Sequence, residues 1–573
     1  MRGMYIDLVP NRCSKPAILL RESIREGKRI RKRTVANLSA LTLEQAESIR
    51  LVLRGDRLVA ADSSLECTRS LPHGHVEAVL TAIRRLGFDK LIDAKPSRER
   101  DLAVAMVAGR IISPEASKLA MTHAWTDTTL AEELGVAGAH EDELYAAMDW
   151  LIERQDKIEK RLAKRHLKEG GLVLFDLTSS SFEGVTCPLA SIGYSRDGKP
   201  GTLQVNYGLL TDARGCPVAV SVFEGNTADP KTFLPQVEKV RGTFGIASLV
   251  MVGDRGMISN VQIEAMRKLE GVDWITALKN GAIAKLADAG QLQLDLFDER
   301  NLISLTSEDY PGERLVACRN PELAKLRTSK RKDLIAATAR ELQKVAGMVA
   351  GGKLAGKDKI GIRVGKVLNK YKVGKHFDLD IQDAGFTFSV NGERVAAEAA
   401  LDGLYVIRTS AAGADMSAEA AVLNYKRLAE VERAFRTLKG VDLQVRPIRH
   451  RLEERVKAHI FLSMLAYYVQ WHLAEAWKPL LFADEAPGGE AREADPVAPA
   501  KRSGAARAKA QTRRLADGSP AFSFRSLLTH LATIVRNTMR PKDAKPGTGA
   551  FALTTAANPK QRQALNLAAA FAV

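Results

Sequence analysis

No apolar run in this sequence is long enough to span a bilayer, so no membrane partner is expected. A signal-peptide core is also lacking, because Leu19-Leu20 is followed at once by Arg21, Glu22 and Arg25, so the expectation is a cytoplasmic protein. Cysteine is scarce. The five residues Cys13, Cys67, Cys187, Cys216 and Cys318 lie far apart, without the paired spacing of a zinc site, and read as reduced thiols. The ten histidines show no metal-type spacing on a helix or hairpin, so a His- or Cys-ligated hydrolase finds no support.

What the chain has in excess is positive charge. Its 573 residues, enough for two to four domains, carry a formal net charge of +17 with pI near 9.5. A protein this basic usually meets a polyanion, nucleic acid first, although charge that serves solubility alone would look the same. Hydrophobic residues at 45% and charged residues at 27% are ordinary for globular domains.

Periodicity divides the chain into segments. Residues 1–60 alternate in short stretches and carry a dense basic run (Arg25, Lys28, Arg29, Arg31, Lys32, Arg33), read as a small β-hairpin module with a basic edge or a solvated charged turn. Residues 61–168 form a helical N-terminal region with amphipathic segments at 99–110, 114–122, 127–134 and 141–168, either a helix-turn-helix unit or a plain bundle. At 169–280 the pattern becomes α/β. The apolar run Gly171 to Leu177 is a strand buried on both faces, followed by strands at 203–209 and 217–223. Asp229-Pro230 reads as a helix N-cap followed by Pro, and strands at 249–253 and 274–278 flank a helix near 260–270. Three meandering strands, then helix, strand, helix, strand, is ribonuclease H-like connectivity: a mixed sheet with helices on its faces.

Residues 281–405 do not continue that sheet simply and read as a β-rich insertion domain with a helical hairpin. The core resumes at 406–480, with long helices at 418–439 and 452–477. The Ala-, Pro-, Gly- and Arg-rich stretch 484–520 reads as a linker, and 521–573 as a C-terminal helical tail.

Three carboxylates stand out on these elements. Asp176 sits inside an apolar strand, where an ionisable group needs a reason; a turn cap or an Arg pair is the plain alternative. Asp254 directly follows the strand at 249–253, at the strand end that faces the ligand crevice of α/β sheets, although turn aspartates are common. On helix 418–439, Leu428, Val431, Phe435 and Leu438 form an apolar arc. Glu432 lies at the edge of that arc with Tyr425, Arg436 and Lys439, whereas Glu430 faces solvent. Glu432 with Arg436 could equally be an ordinary i,i+4 ion pair.

Together these residues resemble the DDE transposases of bacterial insertion sequences, in the cut-and-paste group with a Tyr-Arg-Glu-Lys signature helix. That signature has Glu seven and Lys fourteen residues after Tyr, as in Tyr425, Glu432 and Lys439. The Arg of the pattern is Leu428 here; Arg427 faces elsewhere on the helix and Arg436 is the better-placed substitute. Leu174-Phe-Asp-Leu-Thr178, Gly253-Asp-Arg-Gly256, Val431 to Lys439 and Leu296-Phe-Asp-Glu-Arg300 resemble the same group, and the likeness runs from about residue 1 to 477. Asp254 follows Asp176 by 78 residues and Glu432 follows by a further 178, a gap the group fills with a β-rich domain.

The resemblance implies that Asp176, Asp254 and Glu432 are the catalytic residues and bind two Mg²⁺ ions, with Mn²⁺ as a substitute. It implies phosphate binding by Tyr425, Arg436 and Lys439, double-stranded DNA as partner (terminal repeats and target), homodimerisation on that DNA, and a nucleoid-associated location. Two rivals stay open: a nuclease of the same fold without strand transfer, and a catalytically inactive, transposase-derived DNA-binding regulator.

Overall fold

The computed structural model describes residues 3–572 apart from 13, 28, 57, 59–63, 115–116, 293–300, 486–495, 500 and 543–548. Cys13 and the 296–300 phrase therefore lie outside the described residues. The chain divides into two units, Met1–Leu71 with Val535–Ala556, and Pro72–Ile534 with Ala557–Val573.

In the smaller unit the expected hairpin is a three-stranded antiparallel meander, Gly3–Val9, Ala17–Glu26 and Arg29–Asn37. Ile6 and Ile18 are buried with Ala46 of helix Leu43–Leu53, while the basic strand Arg29–Asn37 stays exposed along nearly its whole length. The C-terminal region is not wholly helical. Val535–Pro541 and Phe551–Thr554 pair as strands, and the former also pairs with Leu65–Pro72. Partners so distant in sequence leave no local periodicity by which to find them.

The larger unit is built on a mixed nine-stranded sheet. Its strands are β1 (Gly171–Ser181), β2 (Ser191–Ile192), β3 (Leu203–Thr211), β4 (Pro217–Glu224), β5 (Leu249–Val252), β6 (Val272–Ala277), β7 (Leu302–Leu305), β8 (Arg314–Arg319) and β9 (Leu404–Thr409). They lie in the order β7-β8-β9-β6-β5-β1-β3-β2, with β4 on β3. The pairs β1–β5 and β5–β6 are parallel, and β1–β3, β3–β4, β6–β9, β8–β9 and β7–β8 antiparallel. Val173, Leu174, Phe175 and Leu177 are all buried, which is why β1 reads as a nearly unbroken apolar run. Gly208 of β3 lets the Phe175 ring lie against it, since a Cβ there would come within 2.4 Å of Cε2.

Residues 281–405 depart from expectation. Strands β7, β8 and β9 extend the central sheet instead of forming a separate β domain. The part that projects from it is mainly helical, Pro321–Ala350 and Lys357–Tyr371, with one hairpin, Phe377–Ile381 and Phe386–Val390. The reason is compositional: Ala, Leu, Lys and Arg dominate the 30-residue helix and favour it intrinsically. Within the linker segment, Gly504–Thr512 is helical and capped by Ser503. Helix α1 (Gln155–His166) precedes β1, and α2 (Asp229–Glu238) is capped by Ala228 rather than Asp229, which is its first residue.

The expected helix 418–439 is two helices, α3 (Ala418–Lys426) and α4 (Leu428–Lys439), divided at Arg427. There the amide of Arg427 bonds the carbonyl of Asn424, three residues back, and the turn tightens. Val431, Ala434, Phe435 and Leu438 of α4 are buried, with Phe435 edge-on to Tyr207 at 6.0 Å between ring centroids. Helix α5 (Glu453–Ala476) is apolar all round because it runs through the core. No helix among the described residues is long and apolar enough to cross a membrane.

Candidate active site

Register positions the first two carboxylates. Leu174 of β1 pairs in parallel with Val252 of β5, so Asp176 and Asp254 each stand two residues further on, at the same end of adjacent strands. Gly253, just before Asp254, leaves room for Ile258 and Phe233, each of which a Cβ there would meet at 3.0 Å. The third group comes from above. With its apolar face against the core, α4 presents Glu432 at the margin. Asp176, Asp254 and Glu432 line one cavity of about 550 Å³, together with Arg196, Asp197, Asp229, Arg436, Lys439 and Arg446.

The electrostatics mark this cavity as short of positive charge beside Asp176. Burial raises its carboxyl to about 7, and the charges of Asp254 and Glu432 push the same way. The Leu177 amide, donating to Asp176 Oδ1 at 2.8 Å, and the more distant Arg196 oppose the shift. Arg196 is itself paired with Asp229 at 2.5 Å. Three convergent carboxylates, one of them half-buried and driven toward its protonated form by desolvation and, less strongly, by the others, are a hard-oxygen donor set that divalent cations would relieve.

The basic residues divide. Arg436 is exposed on the cavity wall and has no carboxylate partner among the described residues. Lys439 is only 9% exposed, and its Nζ donates to Asp197 Oδ1 at 2.8 Å. Its phosphate-binding expectation therefore meets a lysine already engaged. Burial holds this ammonium below the usual lysine range, against the pull of Asp197. Arg446 joins the same carboxylate at 2.6 Å, and the Ser181 amide donates to Asp197 Oδ2 at 3.1 Å. Tyr425, also expected to meet phosphate, donates its hydroxyl to Asp254 Oδ1 at 3.2 Å. Burial and that neighbouring carboxylate keep the phenol protonated.

Sequence reasoning missed Arg196, Asp197, Asp229 and Arg446. The first two stand in the polar turn Tyr194 to Gly198, whose composition signals a loop and nothing more. Arg446 follows α4 in irregular chain.

With this geometry in place, comparison with known proteins is informative. Residues 171–469 match the family model described as transposase DDE domain, and residues 9–63 match the one described as IS1634 family transposase, N-terminal domain. No curated protein matches the chain. Among solved structures, one chain of a piggyBac transposase synaptic complex with hairpin DNA aligns at 7% identity and a TM-score of 0.34. That alignment covers 80% of this chain and 76% of the other.

Proposed function

Since the chain belongs to the DDE transposases of bacterial insertion sequences, we propose that it cuts the DNA at the ends of such an element and joins them to a target, with Asp176, Asp254 and Glu432 as its catalytic residues. The observation that carries the reading is their convergence on one cavity from two adjacent strands and a helix. The core is ribonuclease H-like, 169–280 with 406–480, its sheet extended by strands from 281–405, whose mainly helical remainder is the insertion. The three carboxylates would hold two Mg²⁺ ions, replaceable by Mn²⁺. The chemistry they would supply when bound is activation of the attacking water or 3′-hydroxyl and neutralisation of charge at the reacting phosphate.

The chain's own groups divide the remaining work. Tyr425 orients Asp254 through its hydroxyl. Arg436 is free to meet a DNA phosphate beside Glu432 as a charge-assisted contact. Lys439 and Arg446, gathered on Asp197, fix the end of α4 against the turn at 194–198 and so hold Glu432 over the strand ends. Further contacts come from the exposed basic strand Arg29–Asn37 and from helix Lys357–Tyr371. On that helix Lys359, Arg363, Lys366 and Lys370 recur at intervals of four, three and four residues, forming a stripe beside the face that buries Ile360 and Val364. Two copies pair the two element ends, and the protein works at the nucleoid.

The test is incubation of the full chain with end-bearing DNA, target DNA and Mg²⁺. Cleaved and joined products are expected, and both disappear in Asp176→Ala and Glu432→Ala while DNA binding persists. Cleavage without joining would favour a nuclease, and binding without either would favour a regulator.

A further inference from the structure

Away from the acidic cavity, the larger unit gathers three side chains that the sequence keeps far apart. His166 ends α1, Cys216 stands in the turn before β4, and His472 lies near the end of α5. One ligand atom from each, Sγ and two imidazole nitrogens, lie within 4.8 Å of one another. Cys216 Sγ is 3.9 Å from His472 Nε2. Around a zinc ion bonded to sulfur at about 2.3 Å and nitrogen at about 2.0 Å, such donors stand roughly 3.3–3.8 Å apart. Side-chain adjustments of about an ångström would close the set.

We propose that His166, Cys216 and His472 bind one Zn²⁺ ion, which clamps the N-terminal helices, the sheet and α5 to one another. A thiolate with two imidazoles is a borderline-soft set suited to zinc and foreign to Mg²⁺. Cys216 is fully buried and His472 is 5% exposed, so little water competes for the position. On binding, the Cys216 thiol loses its proton to solvent and the sulfur–zinc bond forms in its place. The thiolate offsets one of the ion's two positive charges, while the Asp212 carboxylate stays paired with Arg214. Asp212 is fixed beside the site by the Cys216 amide at 3.0 Å and the Arg214 amide at 2.8 Å.

The surroundings hold the His166 ring as ligand histidines are held. His166 Nε2 is 3.0 Å from Tyr468 Oη, which the Arg165 guanidinium also reaches at 3.0 Å. Arg214 approaches His166 Nδ1 at 3.4 Å, but its charge is bound to Asp212 at 2.8 Å and its guanidinium lies over the Trp471 ring. Aromatic packing alone accounts for the two rings, with His472 at 4.8 Å from Tyr468 and 5.8 Å from Phe571 between centroids. It does not account for a thiol 3.9 Å from an imidazole nitrogen of His472 and within 4.8 Å of one of His166.

The probe is metal itself, added to the chelator-stripped full chain under reducing conditions in excess Mg²⁺, which occupies the carboxylate cavity. One equivalent of Zn²⁺ should bind and raise Tm. Co²⁺ in its place should give a thiolate-to-cobalt charge-transfer band. Cys216→Ser should abolish both the band and the Zn²⁺-dependent rise in Tm while the circular dichroism in chelator stays native. His472→Asn is read in the same way should the serine variant not fold. A wild-type chain with neither band nor Tm response, a band that survives in the variants, or a response to Cu⁺ alone would overturn the assignment. DNA cleavage plays no part in the readout, so this proposal and the carboxylate chemistry stand or fall separately.

Discussion

Asp197→Asn is the substitution whose effect the site geometry fixes most closely. The carboxylate is 2% exposed and takes Lys439 at 2.8 Å and Arg446 at 2.6 Å on one oxygen. Its amide counterpart keeps the shape and can still accept the Ser181 amide, but leaves two cations without their anion. Breaking a fully buried pair costs about 3–5 kcal/mol. Arg446, 37% exposed, is screened and adds almost nothing, whereas Lys439 at 9% carries most of the loss. Its ammonium can also shed its proton, since burial already depresses it. Both considerations bring the expectation down to about 2–3 kcal/mol, a fall of about 2–3 °C in Tm for a unit of this size. Thermal unfolding of Asp197→Asn, Lys439→Met and the double variant measures it. The double variant should lose less than the sum of the singles, by about 1–2 kcal/mol of coupling. An Asp197→Asn chain that melts with wild type, or single losses that simply add, would refute the argument that Lys439 is a partner of Asp197 and not a free phosphate ligand.

Three further outcomes follow. Tyr425→Phe removes one hydrogen bond to Asp254 and should slow single-turnover DNA cleavage by roughly two- to tenfold, the worth of about 0.5–1.4 kcal/mol, without changing DNA affinity. Replacing Lys359, Arg363, Lys366 and Lys370 together by Ala should flatten the salt dependence of DNA binding by about 0.9 in log K per log salt for each phosphate the helix no longer neutralises; an unchanged slope would remove this helix from the DNA surface. Burial and the nearby cations Lys118, Arg110 and Arg455 hold the His450 imidazole at about 3, below the ordinary value near 6.5. The unfolded chain therefore takes up a proton that the native chain refuses, and stability is lost as pH falls from about 6.5 toward 3. Urea midpoints across that range should decline, and decline less steeply in His450→Gln.

The parts of the fold that were legible are those with strong local patterns. An apolar strand interrupted by a single acid announced Asp176, and the arc of Val431, Phe435 and Leu438 set Glu432 at a helix margin; the mixed sheet followed from strand order. What escaped depends on contacts distant in sequence. Strand β7, only four residues long, carries too little pattern to be assigned to the central sheet. Asp197 looks like any turn aspartate until Lys439 arrives, 242 residues later. Cysteine and histidine spacing argued against zinc, yet Cys216 meets a histidine 256 positions away. The division at Arg427 left no trace in the amphipathic arc, because Leu428, Val431, Phe435 and Leu438 all lie on the second of the two helices.

Everything proposed for the chemistry rests on cations shared by residues 176, 254 and 432. Mn²⁺ binding followed by electron paramagnetic resonance on the full chain with bound DNA tests this most directly. Two tightly held ions are expected in the wild type, with binding weakened at least tenfold in Asp176→Asn and in Glu432→Gln while circular dichroism is unchanged. Equal Mn²⁺ affinity in wild type and both variants would contradict the account.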